Sequence, residues 1–97
     1  MSYRAILSPN AQDDLRRMPP PVSIYTLSQL ANLERNPTAL SEPSHFPFRE
    51  KCQIFSFDYD FQGKRYFFNV LFEYGADEQT LFLSDIAWQV AEQWYEG

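Results

Sequence analysis

The chain of 97 residues is poor in the side chains that build metal and redox sites. It has a single cysteine, Cys52, and a single histidine, His45. One cysteine cannot form an internal disulfide, and one cysteine with one histidine supplies too few ligands for a zinc site. There is no glycine-rich phosphate loop, and one histidine makes no persuasive Ser/His/Asp arrangement. We therefore expect no cofactor and no metal, and we reject the metal and cofactor enzymes.

Basic residues and long apolar runs are scarce as well. Eight Lys and Arg face thirteen Asp and Glu, which gives a net charge of -5 and a pI near 4.6. Nucleic-acid binding usually requires basic patches that neutralise phosphates, so this balance disfavours that class without excluding a local patch. No apolar run approaches the ~18 residues of a membrane helix. The start MSYRAILSPN lacks a signal-peptide core, and we expect a cytoplasmic protein.

Aromatic residues, at 18%, are abundant and mark the most informative segment, residues 51–88. Its β-branched and aromatic runs predict three strands, with Gly63 and Gly75 at hairpin distances. In the first strand an aromatic face alternates with a polar one formed by Ser56, Asp58 and Asp60. Residues 66–72 are apolar except at Asn69, as in a central strand, and residues 81–86 form the third strand.

The first half of the chain predicts one strand and two helices. Residues 3–7 suit an edge or parallel strand. Ser8 and Pro9 then supply an N-cap and a first-turn proline, and the helix should stop at Met18 before three prolines. A second helix runs from Pro21 to about Arg35. Its apolar stripe should pack on the sheet and comprises Ile24, Leu27, Leu30, Ala31 and Leu33.

The remaining segments complete a single domain over residues 1–97. Residues 37–50 are irregular and are interpreted as a crossover loop. The final residues, WQVAEQWYEG, have Val90 and Trp94 at helical spacing and predict a short terminal helix. The fold class is therefore α+β in the order β-α-α-β-β-β-α, with a helical hairpin packed on a small, mainly antiparallel sheet.

This order and three local patterns resemble the RelE/ParE toxin superfamily of toxin–antitoxin systems over nearly the whole chain. An Ala-x-x-Asp-Leu pattern in the first helix is met by Ala11, Asp14 and Leu15. A Leu-x-x-Asn-Pro pattern ending the second helix is met by residues 33–37. An arginine opening the central strand before an aromatic run is met by Arg65 in KRYFFNVLF.

The resemblance implies alternative functions. RelE-like members cut messenger RNA on the ribosome by attack of a ribose 2′-hydroxyl on the neighbouring phosphate, whereas ParE-like members poison DNA gyrase. Most are held inactive by an antitoxin, and the acidity of this chain predicts a neutral or basic antitoxin tail. A catalytically inactive interaction module of the same fold stays an alternative, and the oligomeric state is left open.

The resemblance also implies a set of site residues. Arg65 matches the arginine expected to hold the scissile phosphate, and Tyr95 matches a terminal tyrosine that stacks on a base or assists proton transfer. An ion pair of Arg65 with Asp58 or Asp60 is the alternative. Where RelE-like enzymes carry further cations, this chain has Gln53, Phe55 and Gln89. Weaker candidates to supply a cation, a base or an acid are His45, Glu42, Glu50, Lys51 and Lys64.

Overall fold

The computed structural model describes residues 2–44 and 51–92, apart from the side chain of Glu92. Its helices are α1 (Pro9–Arg17), α2 (Pro20–Arg35) and α3 (Pro37–Leu40). Its strands are β1 (Arg4–Leu7), β2 (Glu42–Pro43), β3 (Gln53–Phe61), β4 (Lys64–Tyr74) and β5 (Thr80–Glu92). They form one sheet in the order β1-β5-β4-β3-β2. Only the β1–β5 pair is parallel, so the predicted α+β class and the mainly antiparallel sheet are confirmed.

The ends of α1 follow the local chemistry of the sequence. The Ser8 hydroxyl accepts a hydrogen bond from the Ala11 N–H at 3.1 Å, which satisfies one of the unpaired donors of the first turn. The same hydroxyl donates to the Ser84 carbonyl at 2.6 Å and so ties the start of α1 to β5. The helix ends at a Met18 cap with extended backbone, as the prolines that follow require.

The hydrophobic core lies between the helices and one face of the sheet. Helix α2 reaches β3 through Tyr25, whose ring stacks on Tyr59 with centroids 4.1 Å apart. Phe57 stacks on Phe68 at 4.5 Å. The core residues are Ala11, Met18, Val22, Leu30, Leu33, Phe55, Tyr66, Phe68, Val70, Phe72, Leu81, Leu83 and Ile86.

The orientation of α2 differs from the predicted one. Leu30 and Leu33 are buried as expected, but Ile24 is 67% exposed and Leu27 is 51% exposed. The buried face instead includes Val22 and Thr26, whose hydroxyl bonds the Val22 carbonyl within the helix at 2.9 Å. A threonine can satisfy its hydroxyl locally and then behave as an apolar residue, which apolar periodicity alone does not register.

The predicted terminal helix is wrong over residues 88–92, which continue β5. This long strand pairs with β4 as far as Lys64 opposite Glu92, with a register shift between Leu71 and Phe72. Pairing along the whole of β4 outweighs the weak helical spacing at the end of the chain. The predicted loop at 37–50 also differs, because α3 and β2 occupy its first part.

The hairpin between β3 and β4 has the geometry that Gly63 predicts. Gln62 and Gly63 both have positive φ, 53° and 77°. Two consecutive positive φ values make a type I′ turn, whose twist matches that of the flanking strands. The turn fixes the register that places Asp60 directly opposite Arg65.

None of the described helices is long and apolar enough to cross a bilayer.

Candidate functional site

The face of the sheet opposite α1 and α2 carries the candidate site. Strand side chains alternate between faces, so residues out of phase with the core point to this side. We call this surface the open face, since no described helix packs on it. Its principal side chains are Arg4, Ile6, Ile54, Ser56, Asp58, Asp60, Arg65, Phe67, Asn69, Leu71, Glu73, Phe82, Asp85, Ala87, Gln89 and Ala91.

Arg65, the main predicted site residue, lies on the open face and is held by an ion pair. Its Nε lies 2.9 Å from Asp60 Oδ1, and a terminal nitrogen donates to Asp60 Oδ2 at 3.3 Å. Asp58 Oδ2 lies 3.9 Å from the same Nε. The guanidinium fork is thus directed at a carboxylate, the geometry that it would otherwise present to a phosphate. Of the two alternatives for Arg65, the structure contains the ion pair.

The open face is acidic around Arg65. Its described cations are Arg4 and Arg65, whereas its carboxylates are Glu42, Asp58, Asp60, Glu73 and Asp85. Among the described side chains, two carboxylates near one guanidinium leave a net negative charge beside Arg65. A phosphate would meet repulsion there, since binding a backbone phosphate depends on neutralising its charge.

The other predicted residues are not gathered at Arg65. Lys64 is its neighbour in sequence but alternates to the helix-bearing side of the sheet. Lys51 precedes β3, and Gln53 is the first residue of that strand. Gln53 lies seven positions before Asp60, so the two residues are more than about 20 Å apart at ~3.3 Å per residue. Glu42 pairs with Ile54, and so lies about 20 Å from Asp60 by the same measure.

The positions where the family pattern has cations are occupied differently. Phe55 is 4% exposed and belongs to the core, a place where a charged side chain would be costly. Trp88 also faces the core side, with its ring 5.9 Å from that of Tyr66. Gln89 is exposed on the open face opposite Phe67.

A shallow pocket of about 160 Å³ lies between β4 and β5 on the open face. Its wall contains Phe67, Asn69 and Gln89, with Ala87 and Trp88. The Asn69 amide oxygen accepts a hydrogen bond from the Ser56 hydroxyl at 2.6 Å. In the sequence Asn69 stands out as the polar interruption of an apolar strand, and this isolated amide is the sequence signal for the pocket.

Several predicted residues lie outside the described part of the chain. These are His45, Glu50, Trp94 and Tyr95. Their roles stay predictions. Within the described ranges, no group of three His, Cys, Asp or Glu side chains is placed to hold a metal ion.

The Ala-x-x-Asp-Leu pattern of α1 has a structural role. Ala11 is fully buried against the sheet, and Leu15 packs at the margin of the core. Asp14 Oδ2 accepts a hydrogen bond from the Ile86 N–H at 3.0 Å. The pattern therefore fastens α1 to β5 close to the register shift between β4 and β5.

Comparison with known proteins defines the fold. A chain of the toxin–antitoxin complex RelBE2 from Mycobacterium tuberculosis matches with a TM-score of 0.70 at 14% identity, over 92% of this chain and 100% of that one. The protein has a RelE-like toxin fold. A chain of the intact E. coli RelBE toxin–antitoxin complex matches with a TM-score of 0.60 at 13% identity, over 89% of this chain and 95% of that one. No protein-family model and no curated protein matches the sequence.

Proposed function

We propose that this RelE-like protein is the toxin component of a toxin–antitoxin pair and that it acts by binding its target rather than by cutting RNA. Both structural relatives come from toxin–antitoxin complexes, and the fold matches them over most of the chain. The observation that carries the mode of action is the ion pair of Arg65 with Asp60 on an acidic open face. An antitoxin encoded beside this chain is the partner that the proposal requires.

The chemistry of RNA cleavage explains why binding is preferred. Attack by a 2′-hydroxyl needs a base, an acid and cations that stabilise the charge developing on the phosphate. On the described open face, Arg65 is directed at carboxylates and Arg4 lies at the far side of β5. Acidic, partly aromatic surfaces suit contact with a positively charged protein better than contact with RNA.

A ribosome-dependent messenger RNA endoribonuclease is the second candidate. Its support is the position of Arg65, which opens the central strand on the open face as the family pattern expects. In that case an incoming phosphate would have to displace Asp60 from the guanidinium, and Tyr95 would be the other participating residue. Gyrase inhibition would be one form of action by binding, and a non-toxic interaction module is the remaining alternative.

Two assays on one set of variants test the proposal. Inducible expression in bacteria measures growth arrest, and programmed ribosomes carrying a labelled message measure cleavage. The variants are Arg65→Ala and, as a matched control, Arg35→Ala, which removes an exposed arginine from the end of α2. We expect growth arrest by all three proteins, intact message, and relief of arrest when the adjacent reading frame is co-expressed.

The contrary outcomes are distinct. Message cleavage that is lost in Arg65→Ala but kept in Arg35→Ala would establish the endoribonuclease. Normal growth at high expression, with tight binding to the neighbouring protein, would establish an interaction module. By contrast, growth arrest with intact message and inhibited supercoiling in a gyrase assay would support the proposal and identify gyrase as the target.

A further inference from the structure

A cavity of about 520 Å³ lies on the helix-bearing side of the sheet, away from the candidate site. We call it the α3 cavity, because α3 supplies Thr38 and the residue that caps this helix, Ser41. Tyr74 reaches it from the end of β4, nine positions from Arg65, or about 30 Å at ~3.3 Å per residue. Its lining includes Tyr3, Thr38, Ser41, Gln53, Tyr74 and Glu78.

The polar groups of the α3 cavity are mainly acceptors. The Ser41 hydroxyl donates to the Pro37 carbonyl at 2.6 Å, so its oxygen offers a ligand only lone pairs. The hydroxyls of Thr38 and Tyr74 lie 3.4 Å apart, and one of their two protons is used between them. Glu78 adds a carboxylate, and no Lys, Arg or His lines the cavity. The lining therefore carries a negative charge and favours a ligand that donates.

Two tyrosine rings form a corner of the cavity. The rings of Tyr3 and Tyr74 have centroids 5.9 Å apart and are inclined at 61°. Tyr74 is also held by Phe72, with centroids 5.7 Å apart. Aromatic faces attract cations, and inclined rings are the walls of the cages that recognise ammonium groups. An ammonium group has three donors and no acceptor, which matches the acceptors of the lining.

The backbone of Glu78 is the second observation that points to a ligand. Its φ of 58° lies in the left-handed region, which is uncommon for a residue other than glycine. The turn imposes this conformation, since the Glu78 N–H donates to the Gly75 carbonyl at 3.0 Å and the Gly75 N–H to the Thr80 carbonyl at 2.7 Å. In the described part of the chain no basic side chain pairs with Glu78. A charged side chain at a strained position indicates a use for it beyond the turn.

We infer that the α3 cavity binds a small organic cation, an aliphatic amine whose ammonium groups are bound by the Glu78 carboxylate and the tyrosine corner. The volume of the cavity lies within the range of small-ligand sites, roughly 300–1,000 Å³. An anion would be repelled by Glu78 and would meet no cation in the lining. The inference goes beyond the proposed function and does not rest on it, because the cavity and Arg65 lie on different faces of the sheet.

The test compares three four-carbon probes of similar length that differ in charge. Putrescine is the diamine, butanediol is the neutral diol and succinate is the dianion. Binding is measured by calorimetry and by the chemical shifts of the backbone amides. We expect saturable binding of putrescine alone, weakened by salt, with shift changes at Thr38, Gln53 and Glu78.

Two variants with matched loss of charge locate the site. Glu78→Gln keeps the size of the side chain and should weaken putrescine binding at least about fivefold. Glu73→Gln removes a carboxylate from the other face of β4 and should change binding less than about twofold.

A third variant separates binding from folding. Glu78→Gly should abolish binding while the Tm stays equal or rises, because glycine adopts the positive φ without strain. Tyr74→Leu removes one wall of the corner and should weaken binding at least about threefold. If Tyr74→Leu does not fold, the two substitutions of Glu78 still decide the question.

The contrary outcomes concern the site and the class of ligand. Equal effects of Glu78→Gln and Glu73→Gln would overturn the inference, since attraction by the net charge of the protein would explain them. Binding of butanediol or succinate at least as tight as that of putrescine would overturn the cationic class. The absence of heat and of shift changes up to about 10 mM putrescine would overturn the site itself. Binding in the expected pattern would support the site whether or not the protein arrests growth.

Discussion

Removing the Asp14 carboxylate should destabilise the protein more than removing any exposed charged group of α1. Asp14 accepts the Ile86 N–H at 3.0 Å, and Ile86 is completely buried. A hydrogen bond to a charged group contributes about 1.5–3 kcal/mol, and a buried donor left without a partner adds to the loss. Because Asp14 is itself only partly buried, we expect Asp14→Ala to cost about 2 kcal/mol of unfolding free energy.

The assay is urea unfolding followed by circular dichroism, supported by thermal melting. In a domain of this size 2 kcal/mol corresponds to a fall of about 10 °C in Tm. Asp14→Asn keeps a neutral acceptor and should lose about half as much. Asp13→Ala is the matched control, since that exposed carboxylate only pairs with Arg16 across one turn, and it should lose less than about 0.5 kcal/mol. Equal losses for Asp13→Ala and Asp14→Ala would refute a structural role for the bond to β5.

Two further predictions follow from the turn before β5 and from the orientation of α2. Asp77 accepts hydrogen bonds from the Gln79 N–H at 2.9 Å and from the Thr80 hydroxyl at 2.9 Å, which lower its pKa below the ordinary 3.8. The stabilising effect of the Asp77 carboxylate should be complete above pH 3.8 and be lost as the pH falls through its lower pKa in the folded protein. Carbon-13 titration of the carboxyl and acid unfolding of Asp77→Ala check this. Ile24→Lys should change the free energy of unfolding by less than about 0.5 kcal/mol, because Ile24 is exposed. Val22→Ala, at a buried position, should lower it by about 2 kcal/mol. Equal losses in urea unfolding would contradict the observed orientation of α2.

The sequence predicted elements whose signals are local. The cap at Ser8, the stop at Met18 and the turn at Gly63 each depend on a few adjacent residues, and all three are confirmed. The terminal helix predicted over residues 88–97 is wrong over residues 88–92, because these residues pair with β4, a strand distant in sequence. The stripe predicted on α2 is confirmed at Leu30 and Leu33 and is wrong at Ile24 and Leu27. The reason is related, because the face that is buried depends on what Tyr25 meets on β3.

The position of the candidate site could be predicted from the sequence, whereas the ion pair that Arg65 makes there could not. Placing Arg65 at the start of the central strand required only the strand pattern. Its pairing with Asp60 depends on the two-residue hairpin and its register, which the strand pattern alone does not determine. The Ser56–Asn69 contact likewise joins two strands and needs that register.

Of the patterns that carry the family resemblance, the one in α1 has a structural role, whereas the arginine of the central strand would carry activity. Ala11 and Asp14 fasten α1 to β5, so selection for folding alone is enough to retain them. Arg65 is bound to the carboxylates of its own sheet, and no packing constraint of the core requires a cation there. The packing of α1 on β5 therefore sets no requirement on the side chains of the open face. If the partner proposed above binds the open face, the carboxylates of Asp58 and Asp60 are the physical reason to expect that it is positively charged.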